Sequence, residues 1–224
     1  MRALYLLLVG LTMAGSAFAQ SPSTATKPKV PSPDFTAATA LVEEYFNSLT
    51  TLQAAFSQTQ SDRPREVAQG TFSLNRPQGQ FLWQYQTPVR QRIIGTGTAV
   101  YYVDQSATQG DNQVTQLPLD AGLGRLLRGQ RLSLGKVGLR VNGVQTKGES
   151  RSISLAALPQ RRDEQGLRRV VLTFTGSRAN PTLAGFTATD MLGVTTQVSF
   201  TNAVRGGKFP RGMFDFTPPQ YRQR

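Results

Sequence analysis

Past one helical stretch, apolar residues recur at every second position in one short segment after another. That is the period of a strand with two unlike faces, and it limits the fold more than any other feature. It begins at Leu52, Ala54 and Phe56. It continues through VAQGTFSLN, QFLWQY, VRQRIIG, TAVYYVD and NQVTQL, then KVGLRVN, RSISLAAL, RRVVLTFT, AGFTATDM, VTTQVSFTN and a final GMFDFTP. Gly, Asn, Pro and charged residues punctuate the segments. About eleven short strands joined by tight turns are therefore predicted, an antiparallel meander. Gly70 is a candidate β-bulge.

Two stretches have helical period instead. Ala38, Leu41, Val42, Tyr45, Phe46 and Leu49 predict an amphipathic helix over 35–49, with Asp34 as its cap and Glu43, Glu44 and Asn47 turned away. A second, short helix is predicted behind Asp120, with Leu123, Leu126 and Leu127 on its apolar face and Gly129 as its stop. So long a sheet should curl. Two helices cannot cover it as a flat layer, but they can plug its concave side. The expected fold is mainly β with helices (α+β): a strongly curled antiparallel sheet forming an open, incomplete barrel, with the helices packed inside.

Residues 1–19 stand apart. Arg2 is a charged start, Ala3–Gly15 an apolar run too short to span a membrane comfortably, and Ala17–Ala19 an A-x-A cleavage site. A signal peptide cleaved after Ala19 is expected, and with it export to the bacterial periplasm. Residues 20–33 are rich in Pro, Ser and Thr and predict a disordered arm. Residues 34–224 form one domain.

Composition removes whole classes of chemistry. The chain has no Cys and no His. Disulfides, acylation on an N-terminal Cys, zinc sites, Ser-His-Asp triads and thiol nucleophiles are thereby excluded. The acidic pairs Glu43-Glu44 and Asp163-Glu164 are sequence neighbours, which point apart on a helix or strand. No enzyme is expected, and no metal site. Without the signal peptide, 24 basic residues face 13 acidic ones, a balance of +11. The charges are scattered as singles and pairs, which fits a solvated basic surface, and export argues against nucleic acid.

The alternation fits three architectures. Strands this short, with few aromatics, argue against an outer-membrane barrel. A filled scaffold and a curled sheet with room for an apolar ligand are not separated by periodicity. An inward Phe has the same pattern whether it touches another Phe or an acyl chain, and pattern alone favours the filled core.

Motifs add what periodicity lacks. FSQTQ (56–60), GTFSLNRP (70–77), FLWQYQTP (81–88), IIGTGTAVYYVD (93–104), QVTQLPL (113–119), ATDMLGVTTQVSFTN (188–202) and FDFTPPQ (214–220) succeed one another in an order and spacing that resembles the periplasmic outer-membrane lipoprotein carrier family, LolA. The resemblance covers nearly all of 35–220. Thr96 replaces a usual Asp, Tyr221 a usual Gly, and a basic RQR the usual acidic tail. The lipid-anchored receptor of the same fold begins its mature chain with an acylated Cys, absent here.

The resemblance implies a helical lid over an apolar cavity. It implies a monomeric, cofactor-free carrier that takes acylated lipoproteins from an inner-membrane ABC transporter to an outer-membrane receptor. Relatives of the same fold bind other apolar ligands or act as sensors, so a carrier or sensor of a different apolar ligand is the alternative. Arg76 corresponds to the family's Arg before Pro, which is implied to bond lid backbone and hold the empty form shut. Leu41, Val42, Tyr45, Phe46 and Leu49 are the expected lid stripe. Phe56, Phe72, Leu74, Phe81, Trp83 and Tyr85 are the expected wall, with Phe81 near its mouth. Val100 and Tyr102 share one strand face and Tyr101 and Val103 the other; the pair Val100 and Tyr102 is taken as wall.

Overall fold

A computed structural model describes residues 33–105, 113–117, 124–127, 129, 131–157, 167–177 and 179–218. The predicted signal peptide, the arm up to residue 32, Asp120, Leu123 and the basic tail lie outside the described residues. The elements run α1 (Pro33–Ser48), β1 (Thr51–Gln60), β2 (Arg63–Asn75), a 3-10 turn (Arg76–Gln78), β3 (Gln80–Thr87), β4 (Gln91–Thr96), β5 (Val100–Asp104), β6 (Gln113–Leu117), α2 (Gly124–Leu127), β7 (Leu139–Lys147), β8 (Ser150–Ala157), β9 (Leu167–Thr175), β10 (Thr182–Asp190) and β11 (Thr195–Arg205). Helix α1 starts earlier than its spacing predicts. Asp34 therefore sits in the first turn rather than at the cap, where its charge still suits the positive helix end.

All eleven described strands join one antiparallel sheet in the order β6-β5-β4-β3-β2-β1-β11-β10-β9-β8-β7. Two meanders thus share a seam, β1 against β11. Among the described residues the edges are β6 and β7, which do not pair there, so the barrel is open. The chain between them, residues 118–138, must pass from one edge to the other, and it carries α2.

Ring distances show how far the sheet curls. Trp83 on β3 and Phe186 on β10 are four strands apart, about 19 Å in a flat sheet at ~4.8 Å per strand. Their ring centroids are 6.3 Å apart. Trp83 also lies 5.9 Å from Phe200 on β11. Ladder irregularities accompany the bend. One falls opposite Gly70, as its glycine suggested, but the extra residue, Gln86, belongs to β3. Another falls between Gln53 and Ala55, and across from it Asn202 takes φ 52°, a left-handed conformation that Asn tolerates better than most residues.

The final GMFDFTP is not a strand. Residues 211–214 are a turn, and residues 215–218 join no ladder. The reason is topological: β11 already has β1 on one side and β10 on the other, so the chain leaving it meets no free edge. The segment packs instead on the convex face. Phe214 is buried with Leu82, Ile94 and Val103, and Phe209, Met213 and Phe216 lie against them. This settles the parity of β5: Tyr101 faces outward, 5.1 Å from Phe216, while Val100 and Tyr102 face the concave side.

Candidate functional site

The concave wall is built by strand parity. Residues 52, 54 and 56 of β1, 72 and 74 of β2, and 81, 83 and 85 of β3 all turn the same way and join one apolar cluster. Aromatic rings dominate its centre. Phe72 lies 4.4 Å from Trp83, Phe56 lies 4.9 Å from Trp83 and 5.1 Å from Tyr85, and Phe72 stacks on Phe200 at 5.7 Å. Phe81 covers the bare backbone of Gly95 on the neighbouring strand, the place a Cβ would occupy.

Between this wall and the helices a cavity of about 40 Å³ remains. Its lining includes Phe46 of α1, Leu126 and Leu127 of α2, Phe72, Leu74, Trp83 and Tyr85 of one meander and Leu172, Leu183, Phe186 and Phe200 of the other. Drug-sized ligand sites run to about 300–1,000 Å³. The interior is therefore closed, its wall covered by the molecule's own helices.

The cover is two pieces sewn together. Helix α1 buries Val42, Tyr45 and Phe46, and Leu49 just past its end, with Tyr45 edge-on to Phe174 of β9 at 5.1 Å. Its polar side is not free of the fold, contrary to the periodicity reading. The Asn47 carboxamide donates to the Leu132 carbonyl at 3.0 Å and accepts from the Leu132 N–H at 2.7 Å, and the Glu43 carboxylate accepts from the Leu134 N–H at 2.7 Å. Spaced four apart, these two side chains lie on one helix face and hold the crossover segment. Arg205 of β11 pins the outer flank, 4.9 Å over the Tyr45 ring and donating to Ser48 Oγ at 3.2 Å.

Arg76 stands where the pieces meet. It opens the turn between β2 and β3, closed by Gly79 at φ 63°, and is only 4% exposed. Burial pulls its guanidinium below the ordinary value, the sign expected when a charge leaves water. Its backbone N–H donates to the Thr50 carbonyl, just past α1, at 2.9 Å. From the crossover, Gly129 backs onto the same turn so closely that a Cβ would land on the Pro77 carbonyl and 2.6 Å from that of Arg76. Only glycine fits there.

The opposite end of the wall is polar. Tyr85 donates to Gln58 Oε1 at 3.0 Å, and Gln60 donates to the Thr196 hydroxyl at 3.3 Å, both inside the fold. Burial pushes the Tyr85 hydroxyl well above its ordinary value.

An apolar interior shut by a helical cover is the setting in which comparison with known proteins becomes decisive. The family described as outer membrane lipoprotein carrier protein LolA matches residues 47–217. The chain belongs to the LolA family. An outer-membrane lipoprotein carrier protein of Methylococcus capsulatus is 31% identical over 80% of this chain and 82% of its own, and one of Neisseria meningitidis serogroup B is 29% identical over the same shares. Among solved structures, a LolA superfamily protein of Nitrosomonas europaea aligns over 81% of this chain and 97% of its own, at 10% identity and a TM-score of 0.47, too loose to add to the sequence relatives. LolA proteins are carriers, not enzymes.

Within this LolA chain the expected residues divide. Phe46, Phe72, Leu74, Trp83 and Tyr85 line the cavity. Val42, Tyr45, Leu49, Phe56, Phe81 and Val100 are buried around it, and Leu41 and Tyr102 pack at its margin, partly exposed. Phe81, expected at the mouth, is 3% exposed and covered. Sequence reasoning passed over the β9–β11 half of the lining, Leu172, Leu183, Phe186 and Phe200. Their alternation carried the signal, but only curling brings them against β3. Asn47 and Glu43 were missed because helical period assigns them to solvent.

Proposed function

We propose that this protein is a periplasmic lipoprotein carrier. It takes up the acyl chains of lipoproteins that an inner-membrane ABC transporter releases and passes them to an outer-membrane receptor. It is exported by a signal peptide cleaved after Ala19 and works as a monomer. The observation that carries this reading is the cover: α1 and the crossover lie on an apolar lining and are tied at their rims by polar contacts. The relatives' names and the LolA membership support it.

In this reading Leu41, Val42, Tyr45, Phe46 and Leu49 are the lid and the inward side chains of β1–β5 are the wall for lipid. An acyl chain gains about 0.8 kcal/mol per CH₂ on leaving water. The lid competes for the same wall, so the net affinity is a difference of two large terms. Arg76 is the latch that favours the lid. Purified protein, incubated with spheroplasts, should bring lipoproteins into the supernatant. A folded protein that leaves all lipoprotein with the membrane contradicts the reading.

A further inference from the structure

At the end of the wall away from Arg76, the lining stops being apolar. Tyr85 is the last residue of the cavity lining on β3, and it stands between two buried carboxamides. Gln58, 1% exposed, takes the Tyr85 hydroxyl on its Oε1. Gln91, 3% exposed, is the direct partner of Tyr85 across the β3–β4 ladder. Parity puts both on the concave face, Gln58 two residues beyond Phe56 and Gln91 two before Ile93. In each, Nε2 is buried and meets no hydrogen-bond acceptor among the described residues.

Buried N–H groups left without an acceptor are costly, so native proteins keep few of them and each needs a reason. Apolar side chains of the same shape would fill these positions without that cost. Two such donors flank one tyrosine at the end of an apolar lining. The Tyr85–Gln58 bond holds one amide with its N–H₂ turned from the tyrosine. The arrangement suits a ligand that is apolar along most of its length and ends in hydrogen-bond acceptors.

We infer that Gln58, held by the Tyr85 hydroxyl, and Gln91 form a hydrogen-bonding subsite for the carbonyl oxygens where acyl chains join their headgroup. The proposal rests on the carrier reading above and extends it. It fixes the direction of the cargo: ester or amide carbonyls lie at the Gln58–Gln91 end, and the chains run toward Arg76 beneath the lid. Donors without positive charge suit neutral carbonyls better than a phosphate.

The test uses two fluorescent diacylglyceryl lipopeptides of equal chain length, one ester-linked and one ether-linked, with an ester-linked diacyl phospholipid as a third probe. Wild type should bind the ester lipopeptide roughly five- to tenfold tighter than the ether form, the scale of one or two added hydrogen bonds. Gln91→Met, and separately Gln58→Met with Tyr85→Phe, should shrink that ester-over-ether ratio toward one. Phospholipid binding with the same glutamine dependence would support the subsite as one for glycerolipid esters generally. Phospholipid exclusion beside lipopeptide binding would support it as one for lipoprotein. Equal affinity of wild type for ester and ether forms, or a preference that survives both variants, overturns the subsite and leaves the carrier. Wild type that binds no lipopeptide contradicts the carrier reading itself.

Discussion

In the proposed carrier, individual residues decide whether the lid stays shut. Arg76 was legible only through its motif, since an Arg-Pro after a strand otherwise reads as a solvent-facing turn. Its burial is a matter of tertiary structure, which brings Thr50 and Gly129 against its turn. Arg76→Leu should weaken the closed form, so the variant should retain cargo and release it to the receptor more slowly than wild type in a transfer assay. Release at the wild-type rate would contradict the latch. Gly129→Ala tests the same junction from the other side without touching the wall. The added methyl meets the Pro77 carbonyl and must push the crossover away from the turn. The expected result is stronger binding of an apolar reporter dye by the empty protein with little loss of β signal in circular dichroism. Gln58 and Gln91 were not legible: both are buried on the concave face, where residue type alone would place no glutamine.

At the level of elements, α1 was legible from its apolar stripe and the strands from their alternation. Two readings failed for one reason, that neighbours distant in sequence decide what a residue faces. The polar side of α1 meets the 131–138 segment, and the last segment finds no free edge beside β11. Asn47 makes two hydrogen bonds to the main chain of one residue, Leu132, donating one and accepting the other, and a buried amide left unpaired costs about 1–3 kcal/mol. Asn47→Ala should therefore speed amide hydrogen exchange of Leu132, and Glu43→Gln should speed that of Leu134 to a lesser degree. The β1–β2 ladder should exchange as before. Uniform loss of protection across the sheet would mean that the clamp supports the whole fold rather than the lid.

Taken whole, the molecule is a curled sheet whose inner wall has two possible covers. Burying Val42, Phe46, Leu49, Leu126 and Leu127 is worth on the order of 10 kcal/mol at about 1.5–3 kcal/mol per large apolar side chain. An acyl chain of about fifteen methylenes gains ~12 kcal/mol. The terms are of the same size, so in the proposed carrier loading and release would be tipped by small contributions at the rim such as Arg76 and Asn47. Open-barrel topology and strand count were legible in the sequence. The closeness of β3 to β10 was not, because it depends on curvature summed over the strands between them. Trp83, the one tryptophan of the chain, sits on the wall among Phe56, Phe72, Phe186 and Phe200 and reports directly on what covers it. Its fluorescence should be quenched when a lipopeptide with bromine on its acyl chains binds, and not by the unbrominated form. Binding of the brominated lipopeptide with Trp83 emission unchanged would contradict the claim that acyl chains take the lid's place on this wall.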